Sequence, residues 1–395
     1  MKGFAGRIRE RFRSWTKGGG VMAERVAYVL NYVDWRGDMS LTTDPWNEVD
    51  SLIFSSLCYI DMSCVTREAL TLRQVAALLP PHKPQRGVQG SFFGTCRALL
   101  TQCSLSERFG NLVLHGYVNE VDPKREIQFS AVVVDLPEDK RYVAFRGTDN
   151  TLVGWREGLS MVFETVPAQA AAAAYLEQVA KDGKKLIIGG HSKGGNLAVY
   201  AAAHVSPEAQ DMIEQVYSFD GPGLDDETVA SEGYARIVGK LTTFVPQAAF
   251  VGLLLAHQED YTVIRSRAVG LLQHDPFSWA IRGRHFIEVE HIKRTSQVID
   301  QTAHDWLKQL SPEERKLFVN TLFDVLESGK ASNVDELLPD LPAILGASLR
   351  VSPSTVKTMA QMIGRLIKIG AGNMWDMITT KKPRLPEPGE EEEHA

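Results

Sequence analysis

The spacing of apolar positions changes period twice along the chain. Before residue 110 they recur at helical spacing over 49–60, 70–79 and 92–100, with a proline-containing polar stretch at 80–90 between the last two. From Leu112 they condense into short runs rich in β-branched and aromatic residues, at 112–118, 128–134 and 142–145. Asp122-Pro123 and Leu136-Pro137-Glu138-Asp139 break these runs, as turns between strands would. There follow an alanine-rich helical stretch at 168–181, an apolar run at 186–188, a small-residue helix at 197–204, and further strand-like runs at 215–219, 240–245 and 261–266. Strands alternating with helices predict an α/β fold with a mostly parallel, doubly wound sheet from roughly residue 110 to 290. Past 295 the helical period returns. Ser311-Pro312-Glu313-Glu314 reads as a capping-box start, and apolar stripes run through Phe318, Leu322, Val325 and Leu326 and through Val356, Met359, Ile363, Leu366 and Ile367.

These shifts divide the chain into a basic tail (1–21), an N-terminal helical segment packed on the core (22–109), the α/β core (110–295), a C-terminal helical segment (296–380) and an acidic, solvated tail (381–395). With 395 residues, 44% of them hydrophobic, the chain can bury a sizeable core. A formal net charge of -6 gives no electrostatic footprint for nucleic acid. Cys58, Cys64, Cys96 and Cys103 have no C-x-x-C spacing, so neither a zinc site nor a redox pair is indicated and reduced thiols are expected. The first twenty residues are basic but lack a continuous apolar stretch, which is not the pattern of a secretory signal. Phe4, Ile8, Phe12 and Trp15 do recur at helical spacing there, so this tail has two readings: a peripheral contact with an anionic membrane, or a frayed basic end before Gly18-Gly19-Gly20. No apolar run is long enough to span a bilayer, and the expected location is the cytoplasm. Nothing in the pattern bears on oligomeric state.

One stretch carries chemistry. Leu186-Ile187-Ile188 runs into Gly189-Gly190-His191-Ser192-Lys193-Gly194-Gly195-Asn196 and then into a helix, and Gly190 to Gly194 fits G-x-S-x-G. In that strand–turn–helix context the pattern is a nucleophile elbow, a strained turn that lifts a serine hydroxyl clear of the sheet edge. A phosphate-binding loop is a poorer fit, because Lys193 follows the serine instead of preceding a Ser or Thr. An elbow serine needs a base, an orienting acid and two donors for a developing oxyanion, in the chain order Ser, acid, His. Among the later histidines, His274 lies in a loop after the last strand, from which an imidazole can reach the serine; His204 points away from the strand end. For the acid, Asp220 closes the strand after the elbow, with Glu259 and Asp260 as alternatives, whereas Asp275 is too close in sequence to orient the ring of its neighbour. The oxyanion donors read as the backbone N–H of Lys193 and Thr148, which follows the 142–145 strand. His191 reads as a packing or helix-start residue.

Phe145-Arg146-Gly147-Thr148, a following Trp155, Gly190-His191-Ser192-Lys193-Gly194 and Ser218-Phe219-Asp220-Gly221-Pro222-Gly223 occur in an order and spacing similar to the class 3 (fungal-type) lipases of the α/β-hydrolase fold. From Tyr32-Val33-Asp34-Trp35-Arg36-Gly37-Asp38 through Gln273-His274-Asp275-Pro276-Phe277-Ser278-Trp279, the chain more closely resembles the bacterial Mbeg-like family, over nearly its whole length apart from the two tails. The resemblance implies an α/β-hydrolase-like fold with Ser192 as nucleophile, Thr148 as oxyanion residue and His274 as base. It also exposes two departures. Class 3 lipases carry their acid just before a Val-Pro after the next strand, where this chain has Thr243-Phe244-Val245-Pro246, and Gly158 stands where the closer family implies an acidic residue. The acid is then either relocated, with Asp220 first choice, or absent.

The reading that follows is a serine hydrolase cleaving a carboxylic or acyl-lipid ester through a Ser-His-Asp acyl-enzyme mechanism, with no metal or organic cofactor required. The alternative is a catalytically inactive lipase-like binding or scaffold protein. The same triad also serves peptidases and acyltransferases.

Overall fold

The computed structural model describes residues 26–79, 92–122, 124–125, 127–148, 165–247, 259–268 and 270–290, together with 158, 161, 249, 311, 313 and 314. The basic and acidic tails, Trp155 and all of the C-terminal helical segment except Ser311, Glu313 and Glu314 lie outside the described residues. At that short piece Ser311 and Glu314 exchange both bonds of the capping box read from the sequence.

Helices α1 (Val29–Arg36) and α2 (Glu48–Leu57) open the described chain. Asn47 starts α2 by accepting from the backbone N–H groups of Val49 and Asp50, while the Asp50 carboxylate accepts from the Asn47 N–H. Asp50 is fully buried and is matched there by the Arg108 guanidinium and the Tyr32 hydroxyl. A buried carboxylate needs such partners, and these two tie three separated stretches of the N-terminal segment together.

The spacing at 70–79 predicts a helix, but the structure divides it. Leu70–Thr71 forms a short strand, β1, and α3 (Leu72–Leu78) begins after it. Thr71 is the N-cap: its hydroxyl accepts from the Gln74 N–H, which ends the extended backbone at the first helical turn. Helix α4 (Phe92–Leu105) completes the segment.

The sheet comprises β1 and β2 (Val113–Asp122), β3 (Ile127–Leu136), β4 (Lys140–Phe145), β5 (Lys185–His191), β6 (Ile213–Phe219), β7 (Leu241–Pro246) and β8 (Tyr261–Ile264), hydrogen-bonded in chain order. The pairs from β1 to β4 are antiparallel and those from β4 to β8 parallel. Between the parallel strands run α5 (Pro167–Ala180), α6 (Lys193–His204), α7 (Pro207–Met212), α8 (Asp226–Val229) and α9 (Glu232–Ile237).

Strand side chains alternate between faces, and each face has its own core. Val132, Val134, Tyr142 and Ala144 pack with Leu52, Ile53, Phe54 and Leu57 of α2 and with Leu99 and Leu100 of α4. Ala131, Val143, Phe145 and Ile188 pack on the other side with Ala168, Ala172 and Leu176 of α5 and Leu197, Ala198 and Ala201 of α6. Cover on both sides explains why β3 and β4 are almost wholly buried. The Tyr142 hydroxyl anchors the first face by bonding Ser51 and Ser55 of α2. The result is an α/β-hydrolase-like, mostly parallel sheet whose second cover is supplied by the N-terminal helices. Cys58, Cys96 and Cys103 are buried free thiols. No helix among the described residues is long and apolar enough to cross a membrane.

Candidate active site

Strand β5 ends at His191 and the chain turns at Ser192, whose φ of 59° and ψ of -131° are unusual for a residue with a Cβ. Holding a side chain there costs about 1–3 kcal/mol and requires surroundings that leave no alternative. Two contacts supply that constraint. A Cβ at Gly190 would run into the backbone of Gly194, and one at Gly194 would run into the Phe145 carbonyl at the end of β4. Only hydrogen fits at these two positions, which is the physical content of the G-x-S-x-G spacing. The Ser192 N–H also donates to the Phe219 carbonyl at 2.9 Å, fastening the turn to the end of β6.

The expected oxyanion residues flank this turn. Lys193 is the first residue of α6, and its side chain, unread in the sequence, is buried with Nζ donating to the backbone carbonyl and Oε1 of Gln128 at 2.6 and 2.5 Å. Thr148 follows β4, and the backbone of Arg146 and Gly147 just before it lies against Gly194.

Asp220 stands one residue beyond β6, next to the strand of the serine. It is fully buried, adopts φ 50°, which aspartate tolerates better than most residues, and donates its N–H to the Phe244 carbonyl at 2.8 Å. Its Oδ2 lies 2.6 Å from Nδ1 of His274. A carboxylate can only accept, so Nδ1 of His274 is the donor in this contact. The loop after Asp220 is held by Asn196 of α6, whose Nδ2 donates to the carbonyls of Pro222 and Gly223 and whose Oδ1 accepts from Gln169.

His274 closes a 3-10 turn, Gly270–His274, and remains partly exposed. Two ring N–H groups pin consecutive carbonyls of this turn. Trp279 Nε1 donates to Gln273 at 2.8 Å, and His191 Nε2 faces His274 O at 2.9 Å. The other nitrogen of His191 lies 3.2 Å from the Tyr59 hydroxyl. Burial, and then the neighbouring His274 ring, hold the His191 imidazole well below the ordinary histidine range, against the opposing effect of its bond to the His274 carbonyl. His191 is therefore neutral, with its proton on Nε2.

The alternative acids are engaged elsewhere. Glu259 accepts from the Tyr234 hydroxyl at 2.6 Å and the Thr243 hydroxyl at 2.7 Å, Asp260 is exposed, and Asp275 caps its own turn by accepting from the Phe277 N–H. Among the other histidines, His204 bonds the Tyr200 carbonyl and His285 faces Glu48. Asp220 and His274 are thus brought into direct contact, and Ser192 is bonded to the residue preceding Asp220. Tyr59, Asn196 and Gln128 are the neighbours that spacing alone did not reveal. Asn196 had a signal, since it lies inside the glycine-rich elbow segment.

The sequence model of the Mbeg1-like family matches residues 103–324. The chain belongs to this family. The matched span of the Mbeg1-like chain contains Thr148, Ser192, Lys193, Asp220 and His274. No curated protein matches it. Among solved structures, lipase II from Rhizopus niveus is 20% identical with a TM-score of 0.26, the likeness covering 34% of this chain and 62% of that one. The Rhizomucor miehei lipase propeptide complex is 14% identical with a TM-score of 0.33, over 61% of this chain and 70% of that one. M37 lipase is 14% identical with a TM-score of 0.31, over 51% and 67%. The chain therefore spans less than two thirds of the Rhizopus lipase chain, and what the site can do has to follow from its own geometry.

Proposed function

We propose that the chain is a serine hydrolase acting on a carboxylic or acyl-lipid ester. His274 Nε2 takes the Ser192 hydroxyl proton as Oγ attacks the ester carbonyl, and the Lys193 N–H and Thr148 stabilise the oxyanion of the tetrahedral intermediate. Collapse of that intermediate expels the alcohol, which receives the proton from His274. Water, deprotonated by the same ring, then releases the acid from the acyl-enzyme. Asp220 keeps the proton on Nδ1 throughout, so that Nε2 is always the face presented for proton transfer.

The observation that carries this reading is the 2.6 Å contact between Asp220 and His274, at the strand end adjoining a serine held at φ 59°. The inactive binding-protein reading rests on the lack of a carboxylate at Thr243 and on the large helical flanks; the buried Asp220 one strand away offers a carboxylate in answer to the first of these. A fluorophosphonate probe is expected to label the wild type and spare Ser192→Ala. Equal labelling of the two contradicts the assignment. An ester chain-length series on the unlabelled wild type, with Ser192→Ala beside it, then separates acyl-lipid from short-ester preference.

A further inference from the structure

We infer that His191 is a positioning residue for His274, acting from the elbow itself: its neutral ring transmits the placement of Tyr59, in the N-terminal segment, to the loop that carries the base. This rests on the serine-hydrolase reading for its functional meaning, but its geometry is independent of it. The His191 Nε2–H faces a carbonyl, which can only accept, so this nitrogen must be the donor. The opposite nitrogen is then an acceptor 3.2 Å from the Tyr59 hydroxyl, whose proton it shares with the His191 carbonyl at 3.4 Å, so both of these acceptors belong to His191. The chain of donors runs in one direction, from Tyr59 to His191 to the backbone of His274.

The ring is also fixed against rotation. Its centroid lies 4.6 Å from that of His274, 6.1 Å from Phe92 and 6.1 Å from Trp279, so it is enclosed by aromatic faces on several sides. Protonated His191 could not accept from Tyr59 and would place a cation beside the base. Its burial disfavours that state. Together with the Trp279 bond to Gln273, the His191 bond removes freedom from two successive peptide groups, while the hydrogen bond to Asp220 and the neighbouring His191 ring set the direction of the His274 ring. Misplacing a base by about 1 Å can cost roughly 10²-fold in rate.

His191→Phe keeps the ring's volume and its contacts with Phe92 and Trp279 while deleting both polar atoms. His191→Gln can still donate to the His274 carbonyl. Two readouts are needed in proteins shown to be folded by thermal unfolding: the rate of Ser192 phosphonylation, and the downfield proton resonance of the His274 Nδ1–H bonded to Asp220. In His191→Phe the rate is expected to fall roughly 10²-fold, with the resonance broadened or lost; His191→Gln recovers a part of both, and Tyr59→Phe shows a smaller loss in the same direction. If the wild type is not phosphonylated, the serine-hydrolase reading fails and the resonance still decides the inference. An unchanged resonance in folded His191→Phe overturns it. Should that variant fail to fold, the same resonance in Tyr59→Phe and His191→Gln decides.

Discussion

Strands β6 and β7 pair in register, Ser218 against Thr243 and Phe219 against Phe244, and their carboxyl ends lie side by side at the edge of the sheet. Beyond β6 stands Asp220, buried and in contact with His274. At β7, Thr243 precedes Phe244-Val245-Pro246, the place at which class 3 lipases keep their acid, and its hydroxyl donates to Glu259. Both strand ends thus hold a carboxylate nearby, but only one reaches the imidazole. Adjacent parallel strands present nearly equivalent positions at one edge, so a carboxylate can serve the same ring from either of them. A triad is defined by that geometry and not by the strand that supplies it.

The comparison breaks most sharply at Asp220. Asp220→Asn is expected to lower ester turnover by roughly 10⁴-fold, because an amide that can donate no longer enforces the Nδ1–H tautomer. Substrate binding should change little, so the loss appears in kcat. Glu259→Gln is expected to leave turnover near wild type and to cost about 1 kcal/mol of stability, read by denaturant unfolding, since Tyr234 and Thr243 donate to different carboxylate oxygens and the amide keeps only one acceptor. A large loss of turnover in Glu259→Gln would move the acid to the β7 side.

Much of this corner was legible from residue order. The strand, glycine cluster and small-residue helix announced the elbow, and a carboxylate closing the next strand followed by a histidine after the last one satisfied the Ser, acid, His order. These signals are local or ordinal. Other partners could not be read that way: Tyr59 meets His191 across 132 residues and Lys193 meets Gln128 across 65, and neither pair has any spacing that links it. The ring next to the nucleophile reads as packing, and Tyr59 carries no signal at all, until the fold brings them together. The choice among Asp220, Glu259 and Asp260 was likewise open in the sequence, because all three lie near strand ends and only tertiary contacts distinguish them. At 70–79 the apolar spacing overran a strand because the cap at Thr71, which sets the boundary, is a hydrogen bond and not a periodicity.

The claim that Asp220 acts through His274 is tested most directly by a double-mutant cycle on the rate of Ser192 phosphonylation, comparing Asp220→Asn, His274→Ala and the two combined. Residues that work as one unit lose their effect together. The double variant is predicted to be no slower than His274→Ala alone. Losses that multiply, with the double variant slower by the product of the two single effects, would contradict the account.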